Sequence, residues 1–139
     1  MTIIAYKNGI IAYDSRITSN SLIESDKHNK MQIHNNCRFF FSGARCDEER
    51  FIDAWFGNHS VTLTTHAFVL DDNNVLYRCG VDCDGFWKEP VIMNRHKAIG
   101  SGSNFATAAM DFGKSAKESV KYAMTRDSSC GGVIRTYKI

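Results

Sequence analysis

The sequence predicts an α+β fold in which two antiparallel sheets are covered by helical layers, all within a single compact domain spanning residues 1–139. Three observations carry this. Runs of β-branched and aromatic residues joined by short turn signals fill most of the chain. Helical periodicity surfaces once in the middle and then twice in succession near the end. Strands therefore come in groups before helices instead of alternating singly with them, which favours antiparallel sheets with helices packed outside.

The elements follow in order. Ile3 to Lys7 and Ile10 to Ile17 are apolar runs around Asn8-Gly9, a dipeptide suited to a two-residue hairpin turn because both central residues need positive φ. Ser19 to Asn29 is polar and reads as a loop or short strand. "KMQIHNNCRFFFSG" reads as a second hairpin about His34-Asn35-Asn36. Cys46 to Gly57 carries Phe51, Ile52, Trp55 and Phe56 at helical spacing. Asp47, Glu48 and Glu49 occupy its first turn, where the helix dipole favours acids, and Gly57 closes it. From Thr62 to Arg95 the signals are β again. "THAFVLDDNNVLYRCGVD" is a hairpin about Asp72-Asn73-Asn74, and "DGFWKEPVIM" a further strand pair or irregular crossing. "GSGSN" then opens a helix with Phe105, Ala109 and Phe112 on one face. Ser115, with Glu118 at capping-box spacing, starts another that carries Ala116, Val120 and Met124. "GGVIRTYKI" is the last strand.

Composition narrows the function classes. At 139 residues, with 43% apolar content and one proline, the chain is large enough to bury a core and is not disordered. A net charge of +2 argues against nucleic acid or an anionic membrane surface as partner. No apolar run nears the length of about 20 residues that spans a bilayer, and the start lacks a secretory pattern, so the expected compartment is the cytoplasm. Five scattered cysteines, an odd number, fit a reducing environment. "CGVDC", with Cys79 and Cys83, has a spacing compatible with zinc, but no matching second pair follows, and no metal or other cofactor is expected. Phe39, Phe40 and Phe41, like Trp55 and Phe56, read as packing residues, and "GSGSN" lacks the Lys-Ser/Thr of a phosphate loop.

Four blocks in order suggest more. "AYDSRIT", "FFFSGARCD", "KAIGSGSNFATAAMD" and "TRDSSCGG" resemble the "AADSRAT", "MAGGAAD", "GSGSxYAxxxMD" and "YRDAYSGG" segments of the N-terminal nucleophile hydrolases, in particular proteasome β-subunits and the bacterial proteasome-like peptidase. The resemblance runs the full chain and implies a four-layer αββα sandwich. It places Asp14 on the active-site aspartate and Lys30, sixteen residues on, on the catalytic lysine. Gly43 falls on the glycine whose N–H completes the oxyanion hole, Ser101 on the serine that orients the nucleophile, and Asp127 on a supporting aspartate. Cys130 stands where the family has a serine. An ungapped match sets Met1 on the nucleophile's position. Counting outward from Asn8-Gly9 instead pairs Ile3 with Asp14 and leaves Thr2 one residue beyond, as in the family's own hairpin. Shortening each strand by two residues preserves which face each side chain takes, whereas a one-residue slip inverts it, and this favours Thr2.

On that reading the expected reaction is acyl transfer to Thr2 followed by hydrolysis. A threonine hydroxyl needs a base, and the residue's own α-amine, once Met1 is removed, supplies one: with a pKa near 7.7–8, roughly one amine in six to ten is neutral at pH 7. The Lys30 charge, paired with Asp14, would lower that pKa further. An oxyanion N–H such as that of Gly43 contributes about 3–4 kcal/mol in other hydrolases. Alone, Asp14 could cap a turn and Lys30 could be a solvated strand end; their joint spacing favours the site. The family carries two long helices after its glycine block, and this chain has room for one, a reduced helical layer. The resemblance implies a homo-oligomeric ring acting on peptide or unfolded protein, while the missing helix argues against an unfolding ATPase partner. The compressed loops suggest a bacterial or phage-encoded form. The alternative is a catalytically silent member of the fold, serving as a structural or interaction subunit.

Overall fold

The structure, a computed structural model, describes residues 2–58 and 62–139. Met1, one of the two residues matched to the nucleophile's position, lies outside the described residues. The strands of the first half are β1 (Ile4–Lys7), β2 (Ile10–Tyr13), β3 (Ile17–Ser19), β4 (Leu22–Ser25), β5 (Met31–His34) and β6 (Cys37–Ser42). A 3₁₀ turn (Arg45–Asp47) leads into α1 (Glu48–Trp55), followed by β7 (His66–Leu70), β8 (Leu76–Asp82), β9 (Gly85–Pro90) and β10 (Lys97–Ile99). Helices α2 (Ser103–Asp111) and α3 (Ala116–Arg126) precede the last strand, β11 (Arg135–Lys138). The fold is mixed, with antiparallel sheets and helices, as the sequence predicts. Contacts divide the chain into two compact units, one made of Met1–Lys30 and Ile92–Ile139, the other of Met31–Val91.

The first unit holds a four-stranded sheet in the order β10-β1-β2-β11. Asn8 and Gly9 both have positive φ, and the turn they make sets Lys7 opposite Ile10 and Ile4 opposite Tyr13. β2 ends at Tyr13, earlier than the run to Ile17 suggests, because the Asp14 side chain takes over the Ile3 N–H where the ladder would continue. β3 and β4 form a separate ribbon about Asn20, whose φ is positive. β10, which the sequence reading does not anticipate, pairs Ile4 with Ile99.

Helices α2 and α3 cover one face of this sheet. Ile3, Ala5, Ala12 and Ala98 meet Ala106, Met110, Ala116, Val120 and Ala123 in a core of mostly small side chains. The expected α2 face is corrected here: Ala106 and Met110 are buried, whereas Phe105 is partly exposed and Phe112 is 90% exposed. A floor built of alanines draws the helix backbone close, and a phenylalanine ring has no room under it. On α3, Ser119 and Ala123 join Ala116 and Val120, and Met124 is only partly buried. The capping box at Ser115 and Glu118 forms as its spacing predicts.

The second unit is a five-stranded meander, β5-β6-β7-β8-β9. Asn35 and Asn36 both take positive φ in its first turn, with His34 opposite Cys37. "DGFWKEP" forms one strand, β9, turned back on β8 at Cys83-Asp84. One face packs α1 through an aromatic cluster in which Phe41 stacks on Phe39 and meets Phe51 edge-on, both at 5.7 Å. α1 is the one helix of this unit among the described residues, in keeping with the reduced helical layer. Cys79 is buried in β8 and Cys83 is exposed at the turn, so the two thiols of "CGVDC" do not share an environment. No helix among the described residues is long and apolar enough to cross a membrane.

Candidate active site

Side chains alternate across a strand, and the start of the chain uses this directly. Ile3 and Ala5 point to the helices, and Thr2 points to the other face. Gly102 N–H donates to the Thr2 carbonyl at 3.3 Å, and Asp14 N–H donates to the carbonyl of the next residue, Ile3, at 3.2 Å. Its side chain is 4% exposed.

Asp14 follows the last residue of β2 and is fully buried. Burying a carboxylate costs several kcal/mol unless donors replace water. Here they do. Oδ1 accepts the Ile3 N–H at 3.1 Å and Lys30 Nζ at 2.8 Å, while Oδ2 accepts the Gly131 N–H at 3.0 Å and the Arg16 N–H at 3.4 Å. Lys30, itself 7% exposed, spends a second proton on Thr2 Oγ1 at 3.0 Å. The ammonium thus sits between the carboxylate and the hydroxyl.

A second group faces the Thr2 nitrogen. With Met1 attached this nitrogen is a peptide N–H, and it donates to Ser101 Oγ at 3.3 Å. Ser101 occupies the turn that opens α2, where Gly102 lies too close to Ile3, Ala123 and Cys130 for a side chain to fit easily. Its Oγ is 3.7 Å from Cys130 Sγ. Asp127 ends α3 and turns back through the Ser129 N–H at 2.9 Å and the Cys130 Sγ at 3.4 Å. Burial works to raise the Asp127 carboxyl, but hydrogen bonds from Ser101, Ser129 and Cys130 outweigh it and hold the group below the usual carboxylate range. Burial pushes the Cys130 thiol up to about 12, with the Asp14 charge adding to the effect, so at neutral pH it is an S–H donor and not a thiolate.

Thr2, Asp14, Lys30, Ser101, Asp127 and Cys130 therefore come together in the first unit. Gly43 belongs to the second, just after β6, with φ +119 and a backbone against which an added Cβ would lie 2.8 Å from Thr65 Cα. Sequence reading missed Gly131 and Arg16. The only trace of the former is a glycine pair after Cys130, and its partner Asp14 lies 117 residues away. Chemically, the cluster offers a hydroxyl whose oxygen is bonded to an ammonium. It also offers a nitrogen in the same residue with an acceptor network behind it.

Compared with solved structures, the chain superposes on BPH from Thiobacillus denitrificans, a bacterial proteasome-related protein, with a TM-score of 0.70 and 14% identity, covering 99% of this chain and 96% of that one. The chain has the proteasome-like fold. The same protein in complex with epoxomicin matches at a TM-score of 0.68 and 14% identity, over 99% and 97% of the two chains. Eukaryotic HslV from Trypanosoma brucei matches at 0.68 and 16%, over 98% and 97%. No protein-family model and no curated protein matches the sequence. The proteasome-like fold is thus held over nearly the full length at low identity, with the described cluster on its first strands and the turn before α2.

Proposed function

We propose that this chain is a proteasome-like N-terminal threonine peptidase or amidase that acts after removal of Met1, as a single proteasome-subunit-like domain in a self-assembled homo-oligomer. The observation that carries this reading is Lys30 Nζ, held at 2.8 Å from Asp14 Oδ1 and 3.0 Å from Thr2 Oγ1. An ammonium there stabilises developing negative charge on the threonine oxygen and opposes protonation of a neighbouring amine.

In the proposed reaction the free α-amine of Thr2 accepts the hydroxyl proton as Oγ1 attacks the substrate carbonyl. By the resemblance alone, the oxyanion is assigned to the Gly43 N–H. The intermediate collapses, the C–N bond breaks, and the leaving amine departs with the proton from the α-amine. Water, deprotonated by the same amine, then cleaves the ester and restores the hydroxyl. Ser101, backed by Asp127 and Cys130, orients the nitrogen. Substrates are peptides or unfolded protein, the compartment is the cytoplasm, and the reduced helical layer argues against an unfolding ATPase partner.

The test uses untagged full-length protein. Intact mass reports whether Met1 is lost, and epoxomicin, the ligand in the complex of the Thiobacillus protein, reports whether Thr2 reacts. Loss of Met1, labelling of wild type, peptide hydrolysis, and loss of both activities in Thr2→Ala are the expected results. Retained Met1 with no labelling would overturn the proposal in favour of a silent structural subunit.

A further inference from the structure

The stretch that delivers Lys30 is tied down residue by residue. The Asp26 carboxylate accepts the Arg16 fork, with Nε at 2.8 Å and Nη2 at 3.2 Å. Lys27 O accepts Arg135 Nη2 at 2.8 Å, His28 N–H donates to Ser15 O at 3.1 Å, and Tyr13 Oη donates to Asn29 Oδ1 at 3.1 Å. Lys30 itself ends on Asp14.

Arg16 differs from the other ties because it reaches three segments. Its Nη1 donates to Ser128 O at 2.8 Å, between Asp127 and Cys130. Its guanidinium lies against Gly131, where an added Cβ would collide with Nε and Nη2. Its own N–H reaches Asp14 Oδ2, the oxygen that also accepts the Gly131 N–H. Asp26 is held in turn by the Val133 N–H on its carbonyl at 3.1 Å, and Gly132 passes its backbone too closely for any side chain. The hydrogen bond between them raises the Arg16 pKa and lowers that of Asp26, so both stay charged around neutrality. The pair is partly exposed, at 20% and 41%. Such pairs add little to stability, and what the planar fork supplies is direction.

We propose that Arg16, acting through Asp26, is a positioning residue that registers the 26–30 stretch against the 127–133 segment, so that Lys30 Nζ stays between Asp14 and Thr2. For its effect on reactivity the inference rests on the peptidase reading. Its geometric part does not.

The experiment therefore has two readouts on full-length protein: the pH dependence of the Thr2–epoxomicin labelling rate, and the Lys30 ammonium resonance in a sample carrying 15N at lysine Nζ. Arg16→Ala, Arg16→Lys and Asp26→Asn are each expected to shift the Lys30 resonance and the midpoint of the labelling profile, and to slow labelling by about tenfold to a hundredfold. The Arg16→Ala, Asp26→Asn double variant should be no slower than either single, since both act through one contact. An unchanged Lys30 resonance in Arg16→Lys and Asp26→Asn, or an unchanged labelling midpoint in protein that labels, overturns the proposal. Should Arg16→Ala not fold, the two size-conserving variants decide. Wild-type protein that never labels but whose Lys30 resonance moves in the variants overturns the peptidase reading and leaves the positioning role standing.

Discussion

Lys30 Nζ donates to Thr2 Oγ1 at 3.0 Å from a position fixed by a carboxylate with no exposure to solvent. Buried pairs of this kind stabilise little relative to apolar replacements, yet breaking one strands a charge. Lys30→Met should therefore destabilise the protein by about 3–5 kcal/mol, and adding Asp14→Asn should recover only part of that loss, because the asparagine NH2 meets a backbone N–H that the carboxylate accepted. On the peptidase reading, neither variant should hydrolyse peptides. Urea unfolding beside a peptide-hydrolysis assay checks both halves.

The buried thiol of Cys130 gives stability an alkaline limit. Its folded pKa is raised from 9.0 to about 12. Between those values the folded chain keeps a proton that the unfolded chain releases, so the contribution is complete below pH 9 and is lost as pH rises towards 12. Cys130→Ser should flatten the fall in stability above pH 9 and, on the peptidase reading, retain activity, because a serine hydroxyl makes the same bonds to Asp127 and Ser101 more strongly. Denaturation midpoints across pH 8 to 11 show this. Cys79, whose thiol is also raised by burial, leaves a residual slope.

The corrected α2 face has a direct test. Phe112→Ser, at a position 90% exposed, should shift stability by no more than about 0.5 kcal/mol. Met110→Ala, at 2% exposure, should cost about 2–5 kcal/mol. If Phe112 belonged to the core, as its helical spacing suggests, thermal melts would reverse the order.

Gly43→Ala should cost about 1–3 kcal/mol from the positive φ alone, and more from the contact with the Thr64 and Thr65 backbone. On the peptidase reading, which assigns the oxyanion N–H to Gly43 by resemblance, hydrolysis should fall further than stability. Comparing kcat with the unfolding midpoint separates the two effects.

Much of this was legible because the signals are local. Asn8-Gly9 sets the register of β1 and β2 by turn chemistry, and that register brings Asp14 beside Ile3. Ser115 and Glu118 mark a helix start by hydrogen bonds made within one turn. What escaped was set by distant partners. β10 is a three-residue strand whose only reason to extend is the free edge of β1. The buried face of α2 depends on alanines at positions 5, 12 and 98, which no periodicity within α2 can reveal. Arg16 lies in the "AYDSRIT" block, but what it holds shows only when Asp26 and Ser128 are folded onto it.

The place of Thr2 within its sheet bears on the timing of maturation. Its carbonyl is occupied by the Gly102 N–H and its nitrogen by Ser101, both supplied by the turn after β10, about a hundred residues downstream in synthesis. An aminopeptidase needs slack at the tip of its target, and these two hydrogen bonds to Thr2 restrict it. On the peptidase reading, trimming is expected to act on the nascent chain on the ribosome, before the late turn has been made. Methionine aminopeptidase added to refolded chain that still bears Met1 should release the residue far more slowly than from the same chain held in urea.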